Sequence, residues 1–330
     1  MCFLNKIISI ISVILIIFLV VPSSAQDVEN IEIAMVTDIG GLNDESYNDQ
    51  LWEGLEQAEE NLTIDIKVME SNLMTDYLPN LNQLAEENAN LIWAVGFSMK
   101  QAVKEAAQMY PETSFAIIDA ELELENVLSV NFAVEEAAYL AGAAAALKSE
   151  SSKIAFIGGR ENNILKSYEA GFRAGAIQAD QDIEIISRYV GSFDKPTAAE
   201  DTALNLYRDG ADVIFHAAGA GSKKIIDAAL ENGFYVIGVD RQFNDLAPDN
   251  ILTTVVKNIS TITARESENF YYGDFETGIR SYGLKEDGVG LDNKQLQKLT
   301  SQDIFAEIER LRQLIIDGEI DVPNEIDEVQ

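Results

Sequence analysis

The stretch 36-VTDIGGLNDESYNDQLWEGL-55 joins two kinds of sequence. The apolar run IEIAMV (31–36) leads into it, and apolar residues at helical spacing follow from about residue 46. Between them the chain stops at a carboxylate, Asp38, and turns through Gly40 and Gly41. Such a strand–loop–helix unit leaves Asp38 at the carboxyl end of a buried strand. Tyr47 and Asn48 then open the helix beyond the loop.

Working outward, the same alternation recurs. Short apolar runs lie at IDIKVM (64–69), LIWAV (91–95), SFAII (114–118), KIAFIG (153–158), IEIISRYV (183–190), DVIFHA (212–217) and FYVIGV (234–239). Amphipathic stretches separate most of them, at 46–60, 98–109, 162–179, 196–208 and 221–232. This spacing predicts eight or nine strands in parallel sheets with helices on both faces, as one large sheet or two smaller ones. The apolar helix EEAAYLAGAAAALKSE (135–150) ends in a polar run that divides the strands about four and four. Expected lobes are therefore residues 26–150 and 151–257. The C-terminal segment, 291–330, carries one amphipathic helix, IFAEIERLRQLIIDG, and an acidic tail.

At the N-terminus, Lys6 precedes an uncharged apolar run from Ile7 to Val21, followed by Ser23-Ser24-Ala25. Charged start, apolar core and small residues predict a signal peptide over 1–25, cleaved near Ala25. An uncleaved anchor is the alternative. The single cysteine, Cys2, precedes the apolar core, so neither a lipid anchor after it nor a disulfide in the mature chain is expected. The single histidine, His216, rules out the familiar zinc ligand sets. Lys and Arg number 23 against 56 Asp and Glu, a net charge of −33. Such a surface keeps the chain soluble and repels nucleic acid.

Ligands of open α/β sheets lie beyond the carboxyl ends of the strands. Three apolar strands here end in Asp38, Asp119 and Asp240, and Lys257, in ILTTVVKN, ends a further short apolar run. Any one aspartate is as well explained as a turn or helix cap; three together indicate a polar cleft. Ionised carboxylates only accept hydrogen bonds, so the ligand must offer N–H and O–H groups, as sugars, nucleosides and amines do. Tyr47 and Phe193 are placed to stack on a flat ring. Enzyme signatures are sparse. The chain has no G-x-G-x-x-G after its first strand, no P-loop and no nucleophile elbow around His216. A Mg²⁺-dependent hydrolase using the three aspartates is the remaining enzymatic alternative.

The opening stretch resembles the signature of the basic membrane protein family of ABC-transporter substrate-binding proteins, whose best understood members bind purine nucleosides. FAIIDA (115–120), VNFAVEEAAYLAGAAAA (130–146), KIAFIGG (153–159), SYEAGFRAGA (167–176), YVGSFDKP (189–196), YVIGVDRQ (235–242) and VVKN (255–258) extend the likeness. The resemblance implies a type I periplasmic-binding-protein fold, with two Rossmann-like lobes joined by crossing strands and closing by a hinge. Residues of about 258–290 would complete the first lobe. It also implies a binding protein without a cofactor, acting outside the cytoplasm as a monomer beside a separate permease and ATPase. By the same resemblance, Asp38, Asn48 and Asp119 match the positions that bond the nucleobase. Tyr47 and Phe193 match the stacking pair, and Asp240 and Lys257 the pair that holds the ribose hydroxyls. Tyr47 stands where the family usually has phenylalanine, so its hydroxyl needs a partner. A sugar or signal-molecule binder of the same fold is the alternative.

Overall fold

Each apolar run becomes a strand because parallel strands covered on both faces need apolar side chains in both directions. The computed structural model describes residues 31–44, 46–240 and 243–329. The signal-peptide reading of residues 1–25 lies outside them. The strands are β1 (Ile31–Val36), β2 (Ile64–Met69), β3 (Leu91–Ala94), β4 (Ser114–Ile118), β5 (Val127–Phe132), β6 (Lys153–Gly158), β7 (Glu184–Tyr189), β8 (Val213–Ala217), β9 (Tyr235–Val239), β10 (Ile251–Lys257), β11 (Gly278–Tyr282) and β12 (Val289–Leu291). The helices are α1 (Tyr47–Asn61), α2 (Tyr77–Glu86), α3 (Lys100–Met109), α4 (Val134–Lys148), α5 (Asn163–Ala179), α6 (Pro196–Arg208), α7 (Ser222–Asn232), α8 (Ile259–Tyr272), α9 (Asn293–Leu299) and α10 (Gln302–Ile316).

The strands form two sheets of six, ordered β11-β5-β4-β3-β1-β2 and β12-β10-β9-β8-β6-β7. Every pairing is parallel except that of β10 with β12. All eight runs picked out by apolarity are strands. Four others, β5, β10, β11 and β12, raise the count above eight or nine. Strand β5 carries polar Ser129 and Asn131, and β11 carries Arg280 and Ser281, so neither reads as an apolar run. Ser129 is nevertheless fully buried, its hydroxyl bonding the backbone of Leu122.

The two sheets repeat one wiring, β6 corresponding to β1, β9 to β4 and β10 to β5. The chain passes between them at three places among the described residues: β5 to α4, β10 to α8, and β11 to β12. Helix α8 lies against α1, whereas α4 lies against α5, α10 and strands of the second sheet. The α4–α5 crossing is very close, because Gly171 and Gly175 face the carbonyl oxygens of Glu135 and Tyr139. A β-carbon built on Gly175 would stand 1.8 Å from the Tyr139 oxygen.

Candidate functional site

Asp38 leaves β1 where the first sheet's strand order reverses, the position at which such sheets hold ligands. Its Oδ1 accepts from the Gly40 amide at 2.7 Å and from Asn48 Nδ2 at 2.8 Å. Asn48 is completely buried. It donates its other amide proton to Asp44 Oδ2 at 2.9 Å, and its Oδ1 accepts from the Asp38 amide. Asn48 thus braces the loop behind Asp38. Asp44 accepts from the backbone amides of Ser46, Asn48 and Asp49, putting a carboxylate at the positive end of α1. Gly41 makes the turn possible with φ +64°, its amide reaching back to the Asp38 carbonyl.

Asp119 and Asp240 occupy matching places in the two sheets. Each follows its strand with a left-handed backbone, φ 55° and 62°. Each donates its amide to the adjacent strand at 2.9 Å, Asp119 to Val130 and Asp240 to Val255. Aspartate tolerates this conformation better than most residues, and the bend sends the chain off the sheet at the carboxyl edge.

Lys257 ends β10 and is almost completely buried, with 4% of its side chain exposed. Its Nζ donates to Asp119 Oδ2 and to Tyr47 Oη, both at 2.7 Å. Tyr47 in turn donates to Asp119 Oδ2 at 3.0 Å. The tyrosine hydroxyl anticipated to need a partner therefore has two. The ammonium also lies 5.2 Å from the centre of the Tyr47 ring and 5.6 Å from that of Phe132. The lysine is thus held by Asp119 and Tyr47. Asp240 Oδ1 is buried and has no hydrogen-bond partner among the described residues.

Burial disfavours the Lys257 ammonium, but the charge of Asp119, aided by Tyr168 and Asp240, outweighs it and raises the pKa. Burial raises the Asp240 carboxyl above its usual range; nearby Lys257 opposes this and Asp119 adds to it. Tyr47 is pushed well up by burial and then by Asp240 and Asp119. At neutral pH the phenol stays protonated and the ammonium stays charged. The cluster therefore offers acceptors on two carboxylates and, since the Tyr47 proton goes to Asp119, its free donor on Lys257.

Phe193 follows β7 and packs against Gly159 and Gly219 at the carboxyl edge of the second sheet, where a β-carbon on Gly159 would meet its ring at 2.3 Å. Tyr47 lies at the corresponding edge of the first. His216 is buried inside β8, and neither ring nitrogen has a partner among the described residues. Burial lowers its pKa to about 4, which suits a neutral core side chain. Among the described residues no cluster of three or more His, Cys, Asp or Glu side chains is placed to hold a metal ion. Sequence reasoning missed Phe132 beside Lys257 and Asp44 behind Asn48, and left Tyr168 as core. Phe132 and Tyr168 lie inside apolar motifs that read as core, and Asp44 lies among loop residues that read as turn.

Residues 31–325 match the family described as "ABC transporter substrate-binding protein PnrA-like". Basic membrane protein D of Borreliella burgdorferi is 33% identical over 320 residues, covering 93% of this chain and 92% of that protein. The "ABC transporter nucleoside-binding protein BmpA" of Lactococcus lactis is 32% identical over 320 residues, covering 89% and 90%. Among solved structures, an ABC transporter solute-binding protein from Aeropyrum pernix superposes with a TM-score of 0.73 at 26% identity, covering 90% of this chain and 95% of that one. The two mostly parallel sheets are thus the two lobes of a type I binding-protein fold.

Proposed function

The chain belongs to the PnrA-like family of ABC-transporter substrate-binding proteins, which bind rather than transform their ligands, and from that premise we propose that it captures a purine nucleoside between its lobes and delivers it to a membrane permease. Binding proteins of ABC importers act outside the cytoplasm, free or membrane-anchored. Among the described residues no helix is long and apolar enough to cross a membrane, so permease and ATPase would be separate chains. The L. lactis relative is named as a nucleoside-binding protein. The reading rests above all on the convergence of Tyr47, Asp119 and Lys257 from both sheets, with Asp240 at the matching strand end.

In this reading the Tyr47 and Phe193 rings sandwich the base, and Asp38 and Asp119 accept from its N–H edge. Asp240 accepts from the ribose hydroxyls, while Lys257 donates to their oxygens through the proton not used by Asp119 and Tyr47. Asn48 contributes by holding Asp38 in place. A monomer suffices, because both halves of the site lie in one chain.

Titration calorimetry with inosine, guanosine and adenosine, beside guanine, glucose and arabinose, tests the proposal. Nucleosides should bind, free bases should bind more weakly, and the sugars should give no heat. A nucleoside at 100 times its dissociation constant should add about 2.7 kcal/mol of stability. Sugar binding without nucleoside binding would transfer the site to the sugar reading of the same fold.

A further inference from the structure

Tyr168 lies on α5 in the second lobe and is 3% exposed. Its ring meets Phe215 of β8 edge-on, with centroids 5.9 Å apart. That contact needs only a ring, and a phenylalanine would make it. The hydroxyl has no hydrogen-bond partner among the described residues, although it is buried. Buried hydroxyls are normally paired, and an orphan asks for an explanation. Other buried orphans of the same lobe include Asp240 Oδ1 and both ring nitrogens of His216, but His216 follows Phe215 on β8 and so faces the other side of the sheet from Tyr168. Strand β8, against which Tyr168 packs, pairs with β9, and Asp240 follows the end of β9.

Tyr168 packs in one core cluster with Phe215 of β8, Ile237 of β9 and Val255 of β10, and Asp240 and Lys257 lie at the ends of β9 and β10; the charges there also act on its phenol. Burial raises the Tyr168 pKa most, and Asp240 comes next, ahead of Lys257, which lowers it, and of Tyr47 and Asp119. A phenol both donates and accepts, and an ionised carboxylate only accepts. An alcohol satisfies both orphans at once, with one proton to give and lone pairs to receive.

We propose that Tyr168 is a further binding residue, which with Asp240 forms a subsite for one alcohol of the ligand. The alcohol donates to Asp240 Oδ1 and accepts from Tyr168 Oη. The subsite would make the protein sensitive to loss of one particular hydroxyl, giving it a specificity that ring stacking lacks. This inference rests on the nucleoside reading, since it assigns the alcohol to the sugar.

The test is calorimetry on wild-type protein and Tyr168→Phe with inosine and its 2′-deoxy, 3′-deoxy and 5′-deoxy analogues. Tyr168→Phe should bind inosine about tenfold more weakly, the effect of one net hydrogen bond. For one analogue, the one lacking the recognised hydroxyl, wild type and variant should bind alike. The melting temperature should hold or rise, because the ring packing is kept and a buried polar atom removed. Unchanged inosine affinity in Tyr168→Phe would overturn the subsite and leave the nucleoside reading standing. Equal losses for inosine and all three analogues would make Tyr168 a structural residue only. Wild-type protein that binds no nucleoside would overturn the nucleoside reading, and the ribose assignment with it.

Discussion

The Lys257 ammonium and the Asp119 carboxylate stand 2.7 Å apart, one ending a strand of the second sheet and the other ending a strand of the first. Their side chains are 4% and 11% exposed. A charge so buried is tolerated only when paired. The contact therefore ties the two lobes together, close to where β10 hands the chain to α8.

Removing one partner of that pair should be costly. We expect Lys257→Met to lower unfolding free energy by about 3–5 kcal/mol, the range for stranding one buried charge. Adding Asp119→Asn should recover part of the loss, since no charge is then left alone. Denaturant unfolding of the three variants checks this, and strictly additive losses would show that the pair is not coupled.

The proposed nucleoside site assigns Asp240 to binding more than to folding. Asp240→Ala should weaken nucleoside binding by about 2–4 kcal/mol, as when one side of a buried charged hydrogen bond is truncated. Its effect on a free base should be small, because the base has no ribose. Equal losses for guanosine and guanine in calorimetry would remove Asp240 from the sugar's side of the site.

His216 should make stability fall in acid. Burial lowers its native pKa to about 4 from the ordinary 6.5, so between those values the unfolded chain binds the proton and the native chain does not. Its contribution is complete above pH 6.5 and is lost as pH falls to 4, amounting to about 3 kcal/mol. Glu135, whose carboxyl burial pushes up to about 7, gives the opposite slope, with stability lost as pH rises through 7. That term is common to wild type and His216→Leu and cancels in their difference. As the chain has one histidine, its imidazole NMR signal is unambiguous, and a midpoint near 6.5 would refute the assignment.

The α4–α5 crossing should tolerate no side chain at Gly175. A methyl there would meet the Tyr139 carbonyl far inside van der Waals contact, so Gly175→Ala should destabilise by about 3 kcal/mol or more. Gly233, with φ +84° and nothing within 4 Å, provides the contrast. Gly233→Ala should cost only the left-handed backbone, about 1–2 kcal/mol. Similar melting temperatures for the two variants would mean that the helices can separate freely.

Ligand should draw the lobes together, since the binding residues are divided between them. Small-angle scattering should show a smaller radius of gyration at saturating nucleoside, and an unchanged curve would argue against hinged closure.

Much of this molecule was already decided locally. A strand covered on both faces must be apolar along its length and turn polar where it leaves the sheet. IEIAMV, SFAII and FYVIGV therefore marked both the strands and the carboxylates beyond them. The edge strands β11 and β12 escaped notice because an edge demands less apolarity. The Ala-rich sequence of α4 showed that it is buried, but not which sheet it covers. Side-chain partners were the larger gap. Asn48 turns inward to brace Asp38, and the Tyr47 hydroxyl closes on a carboxylate and an ammonium. Lys257 reaches Asp119, 138 residues away in the chain, in preference to Asp240 on the neighbouring strand. Hydrogen bonds and charge pairs form between whatever groups the fold brings within 3 Å, and chain separation has no influence on that distance. The residue types of the candidate site were therefore set by sequence, and their pairing by the way two sheets meet.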